Sequence, residues 1–100
     1  MVRVVWTPIA QSDLDDILYY IAFVDRNRTT GERIYSELRS RVRQCAEGLF
    51  HGRQHPDAPE GWYYVKHKRW LIFYRNIPDG IEVMRVIDAV RDLPRHLRDR

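Results

Sequence analysis

Arginine and histidine are the residues of this chain that could do chemistry. Cutting RNA takes a base for the 2′-hydroxyl, cations for the phosphorane charge and an acid for the leaving oxygen. Arg69, Arg75, Arg85 and Arg91 could supply the cations, and His67 or His96 the proton transfer. No compact pair of proton-transfer groups stands out. The favoured reading therefore pairs these arginines with Asp88, Asp92, Glu82 or the carboxylates of a partner. A metal centre has less support. His51 and His55 have i, i+4 spacing, but Gly52 and Pro56 place them in a loop, and no cysteine pair or glutamate completes a ligand set. Ser12, Ser36 and Ser40 fall on expected helices. Phosphate-loop, dinucleotide and nucleophile-elbow motifs are missing, so neither a metal nor a cofactor is expected.

These residues need elements to position them. Residues 2–6, Val-Arg-Val-Val-Trp, read as a first strand. Thr7 can cap a following helix, with Pro8 at its first position, where a missing N–H costs nothing. Ala10, Leu14, Ile17, Leu18, Ile21 and Val24 then repeat at helical spacing, giving a helix over 8–25. Thr29 and Glu32 form a capping box for a second helix over 30–48, whose apolar stripe is Ile34, Leu38, Val42, Cys45 and Leu49. Residues 51–61 are a loop rich in Gly and Pro. Strands follow at 62–66, 69–75 and 81–88, the last two joined by a Pro78-Asp79-Gly80 turn. The order is β-α-α-β-β-β, an α+β fold with a helical hairpin packed on a small, mainly antiparallel sheet. One domain over 1–100 is expected, with a core at 1–88 and a C-terminal tail or short helix at 89–100.

Composition agrees with a small globular protein. The chain has 100 residues and a mass of 12.1 kDa, 44% hydrophobic and 31% charged, which excludes disordered and low-complexity classes. An apolar run of the ~20 residues that would span a bilayer is missing, as is a signal-peptide pattern at the N-terminus. The lone Cys45 cannot form an internal disulfide, which points to a reducing cytoplasm. The net charge is +3, and of 17 cationic residues only Lys66 and Lys68 are lysines. Arg3 faces Asp13, Asp15, Asp16 and Asp25 within residues 1–25, whereas residues 26–75 are net positive. A molecule of this kind prefers an acidic or polyanionic partner.

Strand alternation sorts the meander into two faces. Trp70, Ile72 and Tyr74 share one face of the middle strand, opposite Arg69, Leu71, Phe73 and Arg75. In the last strand Ile81, Val83, Arg85 and Ile87 lie opposite Glu82, Met84, Val86 and Asp88. One face must meet the helices. The other would be an aromatic–aliphatic surface fringed by arginine, the kind of patch that marks a binding site unless the tail folds over it.

The ordered motifs carry a resemblance. They are Trp6-Thr7-x-x-Ala10-x-x-Asp13-Leu14-x-x-Ile17-x-x-Tyr20-Ile21, Gly52-Arg53, Leu71-Ile72-Phe73-Tyr74-Arg75, Ile81 to Ile87, and Val90-Arg91-Asp92-Leu93-Pro94. Together they resemble the ParE branch of the RelE/ParE toxins of bacterial type II toxin–antitoxin systems. That resemblance implies a cytoplasmic, membrane-free toxin that poisons DNA gyrase without catalysing a reaction and is neutralised by a cognate ParD-like or other small antitoxin. Target contacts are then expected at Arg85, Arg91, Arg95 and Arg98, and antitoxin contacts at Leu71, Phe73, Arg75, Met84 and Val86, or on the opposite sheet face. The alternative is a RelE-like, ribosome-dependent mRNA endonuclease using Arg69 and Arg91 on the phosphate and His96 as acid or base. In this chain the C-terminal tyrosine of RelE is replaced by Asp92-Leu93-Pro94-Arg95-His96-Leu97. Direct nucleic-acid binding stays open.

Overall fold

The computed structural model describes residues 2–90. Strand β1 (Arg3–Trp6) leads into helix α1 (Pro8–Tyr19), which passes into a π-helical segment, Tyr20–Val24. Helix α2 (Arg28–Ala46) returns antiparallel, and a long loop precedes β2 (Trp62–His67), β3 (Trp70–Ile77) and β4 (Gly80–Asp88). The sheet order is β1-β4-β3-β2. The β2–β3 and β3–β4 pairs are antiparallel, and β1 joins β4 in parallel. The expected α+β architecture is therefore present, with both helices on one face of the sheet.

Thr7 is the joint between the two layers. Its hydroxyl oxygen accepts from Ala10 N (3.1 Å) and caps α1, while the hydroxyl donates to the Val83 carbonyl (3.0 Å) on β4. Pro8 fits the first turn as anticipated. The helix does not run on unchanged to 25. From Tyr20 the bonds lengthen to the π pattern, with Asp25 N donating to Tyr20 O (2.9 Å), and Arg26 in the left-handed region (φ 54°) ends the run. Because Arg26 turns the chain, Asn27 becomes the cap of α2, its side chain accepting from Thr30 N (3.1 Å). Thr29 sits inside the first turn and makes no capping box, and Glu32 pairs with Arg28 instead. The hairpin closes tightly at Gly31. A Cβ there would lie 3.2 Å from Ala22 N, so a larger residue would push the two helices apart by a few tenths of an ångström.

The main core lies between helices and sheet. Leu14, Leu38, Val42, Ile72 and Val83 are fully buried there, with Cys45 on the same stripe. Burial pushes the Cys45 thiol above its ordinary range, the opposite of a reactive thiolate.

The sheet departs from simple alternation at one place. Phe73 pairs with Arg85 but the next residue, Tyr74, pairs with Val83, which leaves Met84 as an extra residue in β4. Such a bulge reverses the inward–outward phase beyond it. Ile81 and Val83 face the helices, and so does Val86, which alternation had placed on the face opposite theirs. Met84 and Ile87 fall together on the far side with Leu71 and Phe73.

Candidate interaction surface

The far face of the sheet is not open at its centre. Trp62, Leu71, Phe73 and Ile87 form a second cluster, with Ala58, Tyr64 and Met84 against it. The loop before β2 folds across them. The His55 ring packs edge-on against Tyr64 (5.5 Å) and Phe73 (5.8 Å). Arg53 bridges to Tyr64 through two backbone bonds, and Gly52 N donates to the Tyr74 hydroxyl (2.9 Å). A Cβ at Gly52 would meet that hydroxyl at 2.5 Å and the Tyr63 Cβ at 2.9 Å, so a larger residue would force the loop or these side chains to shift. Phe73 is 0% exposed. Of the five expected antitoxin contacts, Leu71 and Phe73 are thus covered by the chain itself, and Val86 is turned under the helices by the bulge. Met84 stays partly exposed and Arg75 exposed.

A cleft of about 920 Å³ opens elsewhere, between α1 with its π-helical end and the C-terminal half of β4. It exists because β1 stops at Trp6, opposite Val83, and leaves the rest of the β4 edge uncovered. Asp13 takes the place of the missing strand. Its Oδ2 accepts from Val86 N (2.9 Å) and Arg85 Nε (2.8 Å), and its Oδ1 accepts from Arg85 Nη2 (3.2 Å). The two side chains are only 12% and 16% exposed, so this bidentate pair is shielded from water. At the cleft's far end Arg69 pairs with Asp88, whose carboxylate also accepts from Val90 N (3.0 Å). The hydrogen bond to Asp88 raises the Arg69 guanidinium further above its usual range and keeps it charged.

The residues weighed for RNA cleavage are dispersed. Arg69 and Arg85 reach the same cleft, but each is engaged by a carboxylate, and Arg75 pairs with Glu82 at the other end of β3. His67 joins a separate clamp. Its Nε2 lies 2.7 Å from Glu37 Oε1, which also meets Lys68 Nζ at 3.1 Å, while Arg33 holds Oε2 at 3.1 Å. The hydrogen bond from His67, followed by that from Lys68, lowers Glu37 to a pKa of about 2. Arg91, Arg95, His96 and Arg98 lie outside the described residues.

An exposed apolar patch escaped sequence reasoning. Tyr19, Tyr20 and Phe23 are 61%, 55% and 66% exposed on the π-helical end, and the first two also line the cleft. The available signal was the run of large apolar residues off the helical stripe. Among the described residues, groups of His, Cys, Asp and Glu that could hold a metal ion are absent, as is a helix long and apolar enough to cross a membrane.

Residues 4–93 match the model of the ParE toxin of type II toxin–antitoxin systems. The chain belongs to the ParE toxin family. Its fold is shared with a solved structure from a chromosomal ParDE toxin–antitoxin system of P. aeruginosa, at a TM-score of 0.71. The two chains are 17% identical, with 88% of this one and 96% of that one covered, so the likeness concerns the ParE fold. No curated protein sequence matches significantly.

Proposed function

We propose that the chain is the toxin of a bacterial toxin–antitoxin pair, which acts in the cytoplasm by binding and inhibiting DNA gyrase and is silenced by a small cognate antitoxin. The observation that carries this reading is the family match over residues 4–93. The carboxylate pairing of Arg69, Arg75 and Arg85 supports binding over RNA cleavage, because a neutralised guanidinium offers little to a developing phosphorane charge. Gyrase contact is assigned to Arg91, Arg95 and Arg98. Arg85 serves instead as a positioning residue that holds α1 on β4. Antitoxin contact moves from Leu71, Phe73 and Val86 to Tyr19, Tyr20, Phe23 and the adjoining cleft, with Arg75 and Met84 kept as exposed polar and apolar contacts.

The purified chain should inhibit gyrase supercoiling and leave mRNA on translating ribosomes intact. Cuts on ribosome-bound mRNA that vanish in His96→Ala, with gyrase unaffected, would overturn the proposal. Tyr20→Ala with Phe23→Ala should weaken antitoxin binding about tenfold or more, since exposed aromatic anchors commonly dominate such interfaces.

A further inference from the structure

A second cavity, of about 560 Å³, lies at the other end of β3 and β4 from the cleft. It is bounded by the last turn of α2, the loop that follows and the turn between β3 and β4. Its size falls within the roughly 300–1,000 Å³ usual for small-ligand pockets. Phe50, Tyr63 and Tyr74 give it three aromatic rings, and Ile81 adds a further apolar wall. The tyrosine rings are held in place. Gly52 N donates to the Tyr74 hydroxyl (2.9 Å), and the Tyr63 ring packs tilted against that of Tyr74, with centres 6.2 Å apart.

Two polar side chains of the lining have hydrogen-bonding capacity to spare. Tyr74 is only 5% exposed. Its oxygen accepts from Gly52, yet its own proton has no acceptor among the described residues. Burial pushes the phenol above its ordinary range, so that proton is retained at neutral pH. A buried donor left unused is costly, and an acceptor brought by a ligand would relieve it. Asn76 stands two residues further along β3, on the same side of the strand as Tyr74. Its side-chain amide makes no hydrogen bond among the described residues. Two cations stand at the rim, each one contact away from the lining. The Arg41 guanidinium lies 4.4 Å from the centre of the Phe50 ring, and Arg3 Nε lies 3.4 Å from Asp79 Oδ1. The Arg3–Asp79 pair is more than half exposed on both sides, so it holds Arg3 weakly.

We propose that this pocket binds an adenine nucleotide. The base lies against the tyrosine and phenylalanine rings, where stacking favours any planar heterocycle. Asn76 selects among the bases. Its amide offers a donor beside an acceptor, the complement of adenine N7 and the N6 amino group, whereas guanine presents acceptors at both N7 and O6. The Tyr74 hydroxyl donates to a remaining ring nitrogen, and Arg3 and Arg41 meet the phosphate charge. The pocket shares no lining residue with the cleft, so the assignment does not depend on the functional reading above.

The test is isothermal titration of the full chain with adenosine monophosphate, with guanosine monophosphate, adenosine and inorganic phosphate as controls. The adenine nucleotide should bind about tenfold more tightly than the guanine nucleotide, and adenosine or phosphate alone should bind more weakly than the whole. Asn76→Leu should weaken adenosine monophosphate about tenfold and erase the preference over guanine. Tyr74→Phe should weaken it several-fold and keep that preference. Amide exchange at Gly52 and Asn76 should slow in the bound protein, with Tyr20 and Val86 in the cleft unchanged. Unchanged exchange at Leu38 would verify that each variant is folded, and the other variant decides if one is not. Lack of saturable binding of the adenine nucleotide up to about ten millimolar would overturn the proposal. So would equal binding of any control, full affinity in Asn76→Leu or Tyr74→Phe, or protection in the cleft instead.

Discussion

The two faces of the sheet are covered by different means. On one, two helices lay down Leu14, Ile34, Leu38 and Val42 at regular spacing against Ile72, Val83 and Val86. On the other, a loop without regular structure covers Phe73 and Leu71 through the His55 ring, Ala58 and the bridge at Arg53. A helix face spreads its contribution over many apolar contacts, whereas a loop concentrates it in a few rings and hydrogen bonds. The first should open only with global unfolding and the second at lower cost.

Leu38→Ala should have the largest effect. A fully buried leucine at the centre of the helix face should cost about 2–5 kcal/mol, read from denaturant unfolding. Asp13→Ala should follow at about 2–3 kcal/mol, because it removes the carboxylate that accepts from both the Arg85 guanidinium and the Val86 N–H in a shielded site. A loss below about 0.5 kcal/mol would mean that solvent replaces the carboxylate there and the cleft wall is looser than its geometry suggests. His55→Ala should cost about 1 kcal/mol from lost ring contacts. Its signature should be faster amide exchange at Arg53 and Tyr64, with exchange at Leu38 and Val42 changing only as far as overall stability does. If both faces accelerate by the same larger factor, the loop is part of the same cooperative unit and the contrast fails.

The smallest effect concerns the clamp between α2 and the β2–β3 turn. The Glu37 pKa is lowered from 4.5 to about 2, so its carboxylate is favoured in the folded state. A depressed carboxylate contributes stability that is present above the unfolded pKa and is lost as pH falls through the folded one. The wild-type chain should therefore lose stability between pH about 4.5 and about 2 more steeply than Glu37→Gln does. Parallel pH profiles would show that His67 and Lys68 do not hold the group in solution.

Much of this layout could be read in the residues. Thr7-Pro8 marks the start of α1, the spacing of Ile34, Leu38, Val42 and Cys45 marks the buried stripe of α2, and Pro78-Asp79 turns β3 into β4. These signals are local, and each fixes its own neighbourhood. The partners of Arg69 and Arg75 were also accessible, because once β3 and β4 pair Glu82 comes opposite Arg75 and Asp88 opposite Trp70, the neighbour of Arg69. Asp13 as the partner of Arg85 was not, since the two meet only after β1 has brought α1 against β4. Nor was the bulge, because Val83-Met84-Arg85-Val86 reads as a regular strand with no glycine or proline to mark the extra residue. That one insertion moved Val86 from the expected binding face to the core. The π-helical end of α1 was hidden similarly, because Tyr20 to Val24 suits either helical period.

The parallel pairing of β1 with β4 joins the first and last strands of the described chain, with Arg3 opposite Gly80. During synthesis β1 must therefore wait, unpaired, until residues 80–83 have left the ribosome, since they make its seat. Closing so long a loop comes late and slowly, because distant contacts return nothing until both ends meet. A chain released early would have its helices but no sheet position for its N-terminus. The helical hairpin can therefore form before the sheet does, and the four-stranded sheet is complete only once β4 is available.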